Sequence, residues 1–402
     1  MSAPRFFNHN SVYKPEGEDY PTYSLDEIKE AYLKDLSSKG IIATDMDGTM
    51  FRNDLGILVF LEKLAQSSDW VFDPEEFSAL LVPDTYEVII NLALAGQLPA
   101  ISPEDARMYL DLKEDCVDLY VSIYAEQEED ELGISHPLVN EFARKMLELD
   151  RLGMQMEHVF VQGMKGQLFS RTRFFVGQNR RALAKLTSAA MKSHENGGRY
   201  VHLAVHPENA SVVTQRVRED TLESVDYDRQ VAVIEGVRYV IDELFDGGKG
   251  APVRVVTTNL KPIAEKAMAR SPYAELLKQD CEGKSPILAS KLERNAYGKM
   301  GGRFRRLPVF GDIKRKVLID LERRIGRKVQ VAMGDSISND VPMMELALRN
   351  GGIAIIVGRH FEETREKFKT VIDGRTGMRR RLGDSSIGDR IFYLEDKEES
   401  QQ

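Results

Sequence analysis

The sequence predicts an α/β fold: a parallel-sheet core with a large, mainly helical domain inserted after the first strand. Three observations predict it. Short apolar runs of buried-strand character alternate with helical patterns toward both ends of the chain. Three of those runs end in polar residues. Between the first run and the second lies a long stretch of mostly helical periodicity.

The elements justify this in order. Leu25 to Leu36 has helical spacing, with a Ser24-x-x-Glu27 capping pattern before it and Gly40 to stop it. Ile41 to Thr44 is a buried strand that releases Asp45-Met46-Asp47-Gly48-Thr49 at its C-terminal end. Helical patterns follow over Leu58–Ala65, Tyr86–Ala95, Pro103–Tyr124, Pro137–Leu152, Arg180–Ser193 and Val231–Phe245. Glu157–Val176 is rich in β-formers, with a hairpin expected at Lys165-Gly166, and Tyr200–His206 reads as a strand. Asp246 to Gly250 is a clear break. Beyond it, strands are expected at Val253–Thr258, Ile287–Leu292, Val329–Met333 and Gly352–Val357, with helices at Pro262–Arg270, Ile313–Ile325 and Met343–Arg349. The expected domains are a lead-in over 1–39, a core from 40–54 and 249–383, an insert over 55–248, and a flexible tail over 384–402.

Composition bounds the function. The 402 residues hold 42 % hydrophobic and 30 % charged side chains, enough for two or three structural units at roughly 150 residues each. The formal net charge is −9, which argues against nucleic acid or an anionic membrane as partner. Cys116 and Cys281 are far apart and make no disulfide framework. The first residues lack the apolar run of a signal peptide, and no stretch reaches the ~18 apolar residues of a membrane span. A cytoplasmic location is the expectation.

In parallel sheets, ligands bind outside the carboxyl ends of the strands. There the fold would gather Asp45 and Asp47, Thr257 and Thr258, Asp335, and Lys314 from the helix leading to the Asp335 strand. These residue types suit phosphoryl transfer. Asp45 and Asp335 can hold a hard cation such as Mg²⁺. Asp45 is then a candidate nucleophile towards phosphorus, its charge offset by metal, Lys314 and a Thr hydroxyl. Asp47 can protonate the leaving oxygen and then take a proton from attacking water. Gly48 permits close backbone approach of a substrate.

Asp45-Met46-Asp47-Gly48-Thr49 resembles the DxDGT signature of haloacid dehalogenase superfamily phosphatases. Thr257 resembles the second motif of that family, Lys314 the third, and Gly334-Asp335-Ser336-Ile337-Ser338-Asn339-Asp340 the fourth, GDxxxxD. The order is right, and Asp335 follows Lys314 by 21 residues. The resemblance implies a Rossmann-like core with a cap domain inserted after the first strand. It also implies Mg²⁺ on the Asp45 and Asp335 carboxylates and the Asp47 carbonyl, with Asp340 orienting Lys314 or a metal-bound water. The dehalogenase branch lacks the second aspartate, so Asp47 favours phosphate chemistry. Within the family the chain resembles the phosphoserine and phosphocholine phosphatase-like branch. Asp54, nine residues after Asp45, matches an acid that contacts a substrate amino group there, and Ile287 to Gly298 resembles that branch's strand-turn-strand.

Several residues carry two readings. Thr257 and Thr258 compete for the phosphate contact, with Thr257 preferred as the first polar residue after the strand, and Lys314 is preferred over Lys316. Asp54 is either a substrate contact or a helix cap. His202 and His206 have metal-ligand spacing on a helix but fall in an expected strand. Arg171, Arg173, Arg180 and Arg181 form either an anion clamp or a solvated basic face. The expected activity is hydrolysis of a small phosphorylated metabolite, with an amino acid or amino alcohol phosphate favoured. The alternatives are a phosphotransferase or mutase with the same intermediate, and a non-catalytic phospholigand-binding protein.

Overall fold

The computed structural model describes residues 25–395, except 53, 67–71, 82–89, 99–100, 127–131, 134–135, 161–173, 196–200, 205–223, 228–232, 246–249, 279–284, 307, 338, 359–367, 369–370 and 372–389. The expected hairpin at Lys165-Gly166, the capping residue Ser24, His206, Arg171, Arg173 and Cys281 lie outside the described residues. The strands are β1 (Gly40–Thr44), β2 (Val201–Ala204), β3 (Ser224–Tyr227), β4 (Val253–Leu260), β5 (Ile287–Ser290), β6 (Leu292–Arg294), β7 (Met300–Phe304), β8 (Lys328–Gly334), β9 (Ile353–Gly358) and β10 (Ile391–Glu395).

The chain divides into two compact units. The first comprises Met1–Asp54, Val231–Ser290 and Val309–Gln402. Its centre is a six-stranded sheet in the order β10-β9-β8-β1-β4-β5, parallel throughout. Counted in chain order within this sheet, the spatial order is 3-2-1-4-5-6 reversed, the doubly wound arrangement. β1 is buried at all five positions, as its unbroken apolar run requires of a central parallel strand. Ile41 and Ala43 join a core cluster with Leu318 and Leu321 of the helix Asp312–Ile325 and with Met343, Met344 and Ala347 of the helix Val341–Arg349. Ile42 points to the other face, as the two-residue period of a strand dictates.

The second unit comprises Leu55–Gln230 and Lys291–Pro308. Its long helices are Leu55–Ala65, Pro103–Glu126, Pro137–Phe160 and Arg180–Glu195. Its aromatic centre stacks Phe77 on Tyr120, with Phe142 and Phe174 tilted or edge-on around them. The Tyr120 hydroxyl is satisfied by the Phe72 carbonyl at 2.9 Å. Among the described residues no helix is long and apolar enough to cross a membrane.

Four boundaries differ from the sequence expectation. The tail contains β10, whose Phe392, Tyr393 and Leu394 are buried and which pairs in parallel with β9. Five residues flanked by charge carry too little pattern to announce an edge strand. The helix Glu235–Phe245 belongs with the core, because Val233 bridges Phe51, the Ile234 N–H donates to the Met50 carbonyl and the Ala251 N–H to that of Leu244. Conversely, the β6–β7 hairpin belongs to the inserted unit. Met300 exchanges backbone hydrogen bonds with Gly177 and Gln178, and Lys299 bridges Asn179. The helix expected to stop at Leu152 continues to Phe160.

Candidate functional site

The chain reverses its direction of travel across the sheet between β1 and β8, and the residues that directly follow these neighbours are Asp45 and Asp335. That switch point is where an open α/β sheet leaves a crevice for ligand. The Asp45 N–H donates to the Met333 carbonyl at 2.9 Å, locking the two strand ends together. The loop then curls so tightly that the Met50 and Phe51 N–H groups both reach the Met46 carbonyl. Gly48 sits in the left-handed region with φ +71°, and a Cβ there would lie 2.0 Å from Asp335 Oδ2. Its lack of a side chain makes room for that carboxylate. The next residue, Thr49, donates its hydroxyl to Asp335 Oδ1 at 3.1 Å.

Lys314, in the first turn of the helix Asp312–Ile325, is wholly buried. Its Nζ lies 2.7 Å from Asp45 Oδ1 and 2.7 Å from Asp340 Oδ1. Asp340 is held in turn, since its Oδ2 accepts the N–H groups of Asp335 (3.2 Å) and Ser336 (3.0 Å). The structure thus brings Lys314 to the acids and leaves Lys316 exposed. Asn339, which sequence reasoning did not single out, accepts the Gly311 N–H at 3.0 Å and ties the loop before Lys314 to the acid loop.

Three carboxylates around one ammonium create an electrostatic imbalance. Burial pushes the Asp45 carboxyl up to about 7, and the Asp340 charge adds to the rise, while Lys314 opposes both. Burial and the charges of Asp340 and Asp45 likewise raise Asp335 well above the usual carboxylate range. Burial alone would lower Lys314, but the two carboxylates beside it outweigh that and hold it protonated.

Donor atoms of Asp45, Asp335 and Asp340 lie within 4.8 Å of one another. Asp45 Oδ1 is buried and, although close to Lys314, has no aligned hydrogen-bond donor. Oxygen donors and excess negative charge fit a hard divalent cation such as Mg²⁺. Asp340 already has both oxygens engaged, so Asp45 and Asp335 have the greater capacity to ligate.

The other candidates fall around this centre. β4 and β5 lose register between the pairs Thr257–Ala289 and Leu260–Ser290, which leaves Thr258 and Asn259 as extra residues on β4. Thr257 is wholly buried and its hydroxyl accepts the Asn259 N–H at 3.1 Å, whereas Thr258 is half-buried. The Asn259 side-chain amide donates to Asp47 Oδ2 at 2.6 Å. Asn259 was missed because nothing in a Thr-Thr-Asn run marks which of the three faces the site. Asp54 is half-buried just before the helix Leu55–Ala65, and its place is compatible with either of its readings. His202 lies in β2, a strand and not a helix, so the helical metal-ligand spacing does not arise. Arg180 and Arg181 are exposed.

No family model matches the chain, and no curated protein matches it. Among solved structures, a conserved functionally unknown protein from Anaerococcus prevotii aligns over 91 % of both chains at 14 % identity with a TM-score of 0.56. A HAD family hydrolase from Salmonella enterica serovar Typhi aligns over 83 % of this chain and 67 % of its own, at 14 % identity and a TM-score of 0.35. A protein with unknown function from Bordetella pertussis aligns over 90 % of this chain and 100 % of its own, at 13 % identity and a TM-score of 0.36. The latter two overlay too loosely to bear on function. The first shows a shared fold: a six-stranded parallel α/β core interrupted by a helical insert has a solved counterpart spanning nearly the whole chain.

Proposed function

We propose that the chain is a magnesium-dependent phosphomonoester hydrolase of the haloacid dehalogenase type, working through an aspartyl-phosphate on Asp45. The observation that supports it best is Lys314 bridging Asp45 and Asp340 at 2.7 Å, beside Asp335, at the switch point of a doubly wound sheet. A buried ammonium spanning two acids is costly to build for stability alone. It suits a nucleophilic carboxylate that must stay ionised and fixed.

In the first step an Asp45 oxygen attacks phosphorus as the ester P–O bond breaks, and the Asp47 carboxyl gives its proton to the departing oxygen. In the second, water attacks the phosphorus of the acyl phosphate and gives its proton to Asp47, which frees the Asp45 carboxylate and inorganic phosphate. Bound magnesium supplies charge neutralisation on the transferring phosphoryl oxygens. Lys314 keeps Asp45 ionised and oriented, and Asp340 orients Lys314. Thr258 is the more accessible of the two threonines, so we assign the phosphate contact to it and a structural role to Thr257. The substrate class we assign is a small phosphorylated metabolite, with an amino acid or amino alcohol phosphate first because of Asp54.

The test is hydrolysis of an aryl phosphate with magnesium or with chelator, for the wild type and Asp45→Asn together. Magnesium-dependent turnover that Asp45→Asn abolishes is the expected result. Appreciable hydrolysis by a folded Asp45→Asn protein would overturn the nucleophile assignment.

A further inference from the structure

We infer that Asn259 is a positioning residue that sets the aim of Asp47 at the leaving-group oxygen, through a bulge at the end of β4. The inference rests on the hydrolase reading above and deepens it.

Three observations converge. First, β4 carries two residues more than β5 between the pairs Thr257–Ala289 and Leu260–Ser290. Extra residues of this kind bend a strand and re-aim its side chains, and they recur beside functional sites. Second, the bulge is stabilised from within. The Asn259 N–H, withdrawn from the ladder, is satisfied by the Thr257 hydroxyl at 3.1 Å, and both residues are buried. Third, the re-aimed Asn259 amide reaches across to β1's loop and donates to Asp47 Oδ2 at 2.6 Å.

The chemistry asks for such a partner. Asp47 lies in the loop after β1, where its backbone forms an isolated bridge with Phe51 and its side chain is half-buried. A carboxyl that must hand over a proton loses efficiency when it samples rotamers facing away from the departing oxygen. A primary amide suits the task because it donates without changing charge and leaves Asp47 free to be acid in one step and base in the next. A lysine in its place would form an ion pair that opposes protonation.

A positioning role makes a distinctive prediction, because proton donation matters most when the leaving group is poor. The test compares kcat/KM across aryl phosphates, from a dinitrophenyl ester to the unsubstituted phenyl ester. The proteins are the wild type, Asn259→Ala, Asn259→Gln and Asp47→Asn, with Asp45→Asn as a control. General acid catalysis contributes roughly 10²- to 10⁴-fold, so Asn259→Ala should lose on the order of tenfold or more on the phenyl ester. It should lose little on the dinitrophenyl ester, so that its dependence on the leaving group steepens towards that of Asp47→Asn. Asn259→Gln, which keeps an amide, should recover part of the loss and also guards against a folding defect in the alanine variant. An equal loss on every ester would overturn the inference and mark Asn259 as structural. So would weaker binding of a phosphate analogue with an unchanged leaving-group dependence, since Asn259 would then hold phosphate. Turnover by Asp45→Asn, or none by the wild type, would instead overturn the hydrolase reading itself.

Discussion

Lys314 Nζ is equidistant from Asp45 Oδ1 and Asp340 Oδ1, 2.7 Å from each, with no part of the lysine exposed. Replacing Lys314 by Met should leave two buried carboxylates without their cation. Loss of one partner of a buried ion pair costs about 3–5 kcal/mol. The urea midpoint at pH 7.5 in chelator should fall accordingly. The deficit should shrink on acidification, as protonation removes the uncompensated charge. A variant as stable as the wild type at neutral pH would show that the bridge does not form.

The acids also set a pH dependence. The unfolded chain titrates its aspartates near pH 3.9, whereas folded Asp45 is pushed up to about 7. The folded state therefore holds the extra proton between those values, and stability falls as pH rises through that window. The contribution is fully present below about pH 4 and lost above about pH 7. Metal-free protein should therefore melt at a lower temperature at pH 7.5 than at pH 5, and magnesium should remove most of that difference. A metal-free protein that gains stability over this range would contradict the cluster.

Asp335→Asn separates the metal from the fold. Its carboxyl is raised by burial and by the neighbouring charges, so neutralising it should stabilise the metal-free protein at pH 7.5. The same change should abolish the rise in melting temperature that magnesium gives the wild type. Calorimetric titration with magnesium would check the second effect directly.

Gly48→Ala should harm the site from the backbone. The left-handed conformation costs an alanine roughly 1–2 kcal/mol, and its Cβ would overlap the Asp335 carboxylate. We expect a lower melting temperature and a weaker response to magnesium. Gly48 was expected to admit substrate, but the group it admits in this structure is Asp335.

The strands of the core were readable because central parallel strands are largely buried on both faces, and β1, β4, β8 and β9 each carry a short run dominated by apolar residues. Asp45, Lys314 and Asp335 were readable because carboxylates and a lysine placed after such runs have a chemical purpose. β10 was not, because an edge strand of five residues needs little pattern to pair. Neither was the membership of the helix Glu235–Phe245 or of the β6–β7 hairpin, since amphipathic periodicity marks a buried face without naming what covers it.

The sequence by itself determined the alternation of elements, the residue types of the site and their order along the chain. Only the tertiary structure decided which lysine meets the acids, which threonine accepts the Asn259 N–H, and that Asn259 reaches Asp47. Those choices depend on strand register and on a two-residue bulge. A pairing offset of one residue turns a side chain to the opposite face, and no local pattern records that offset.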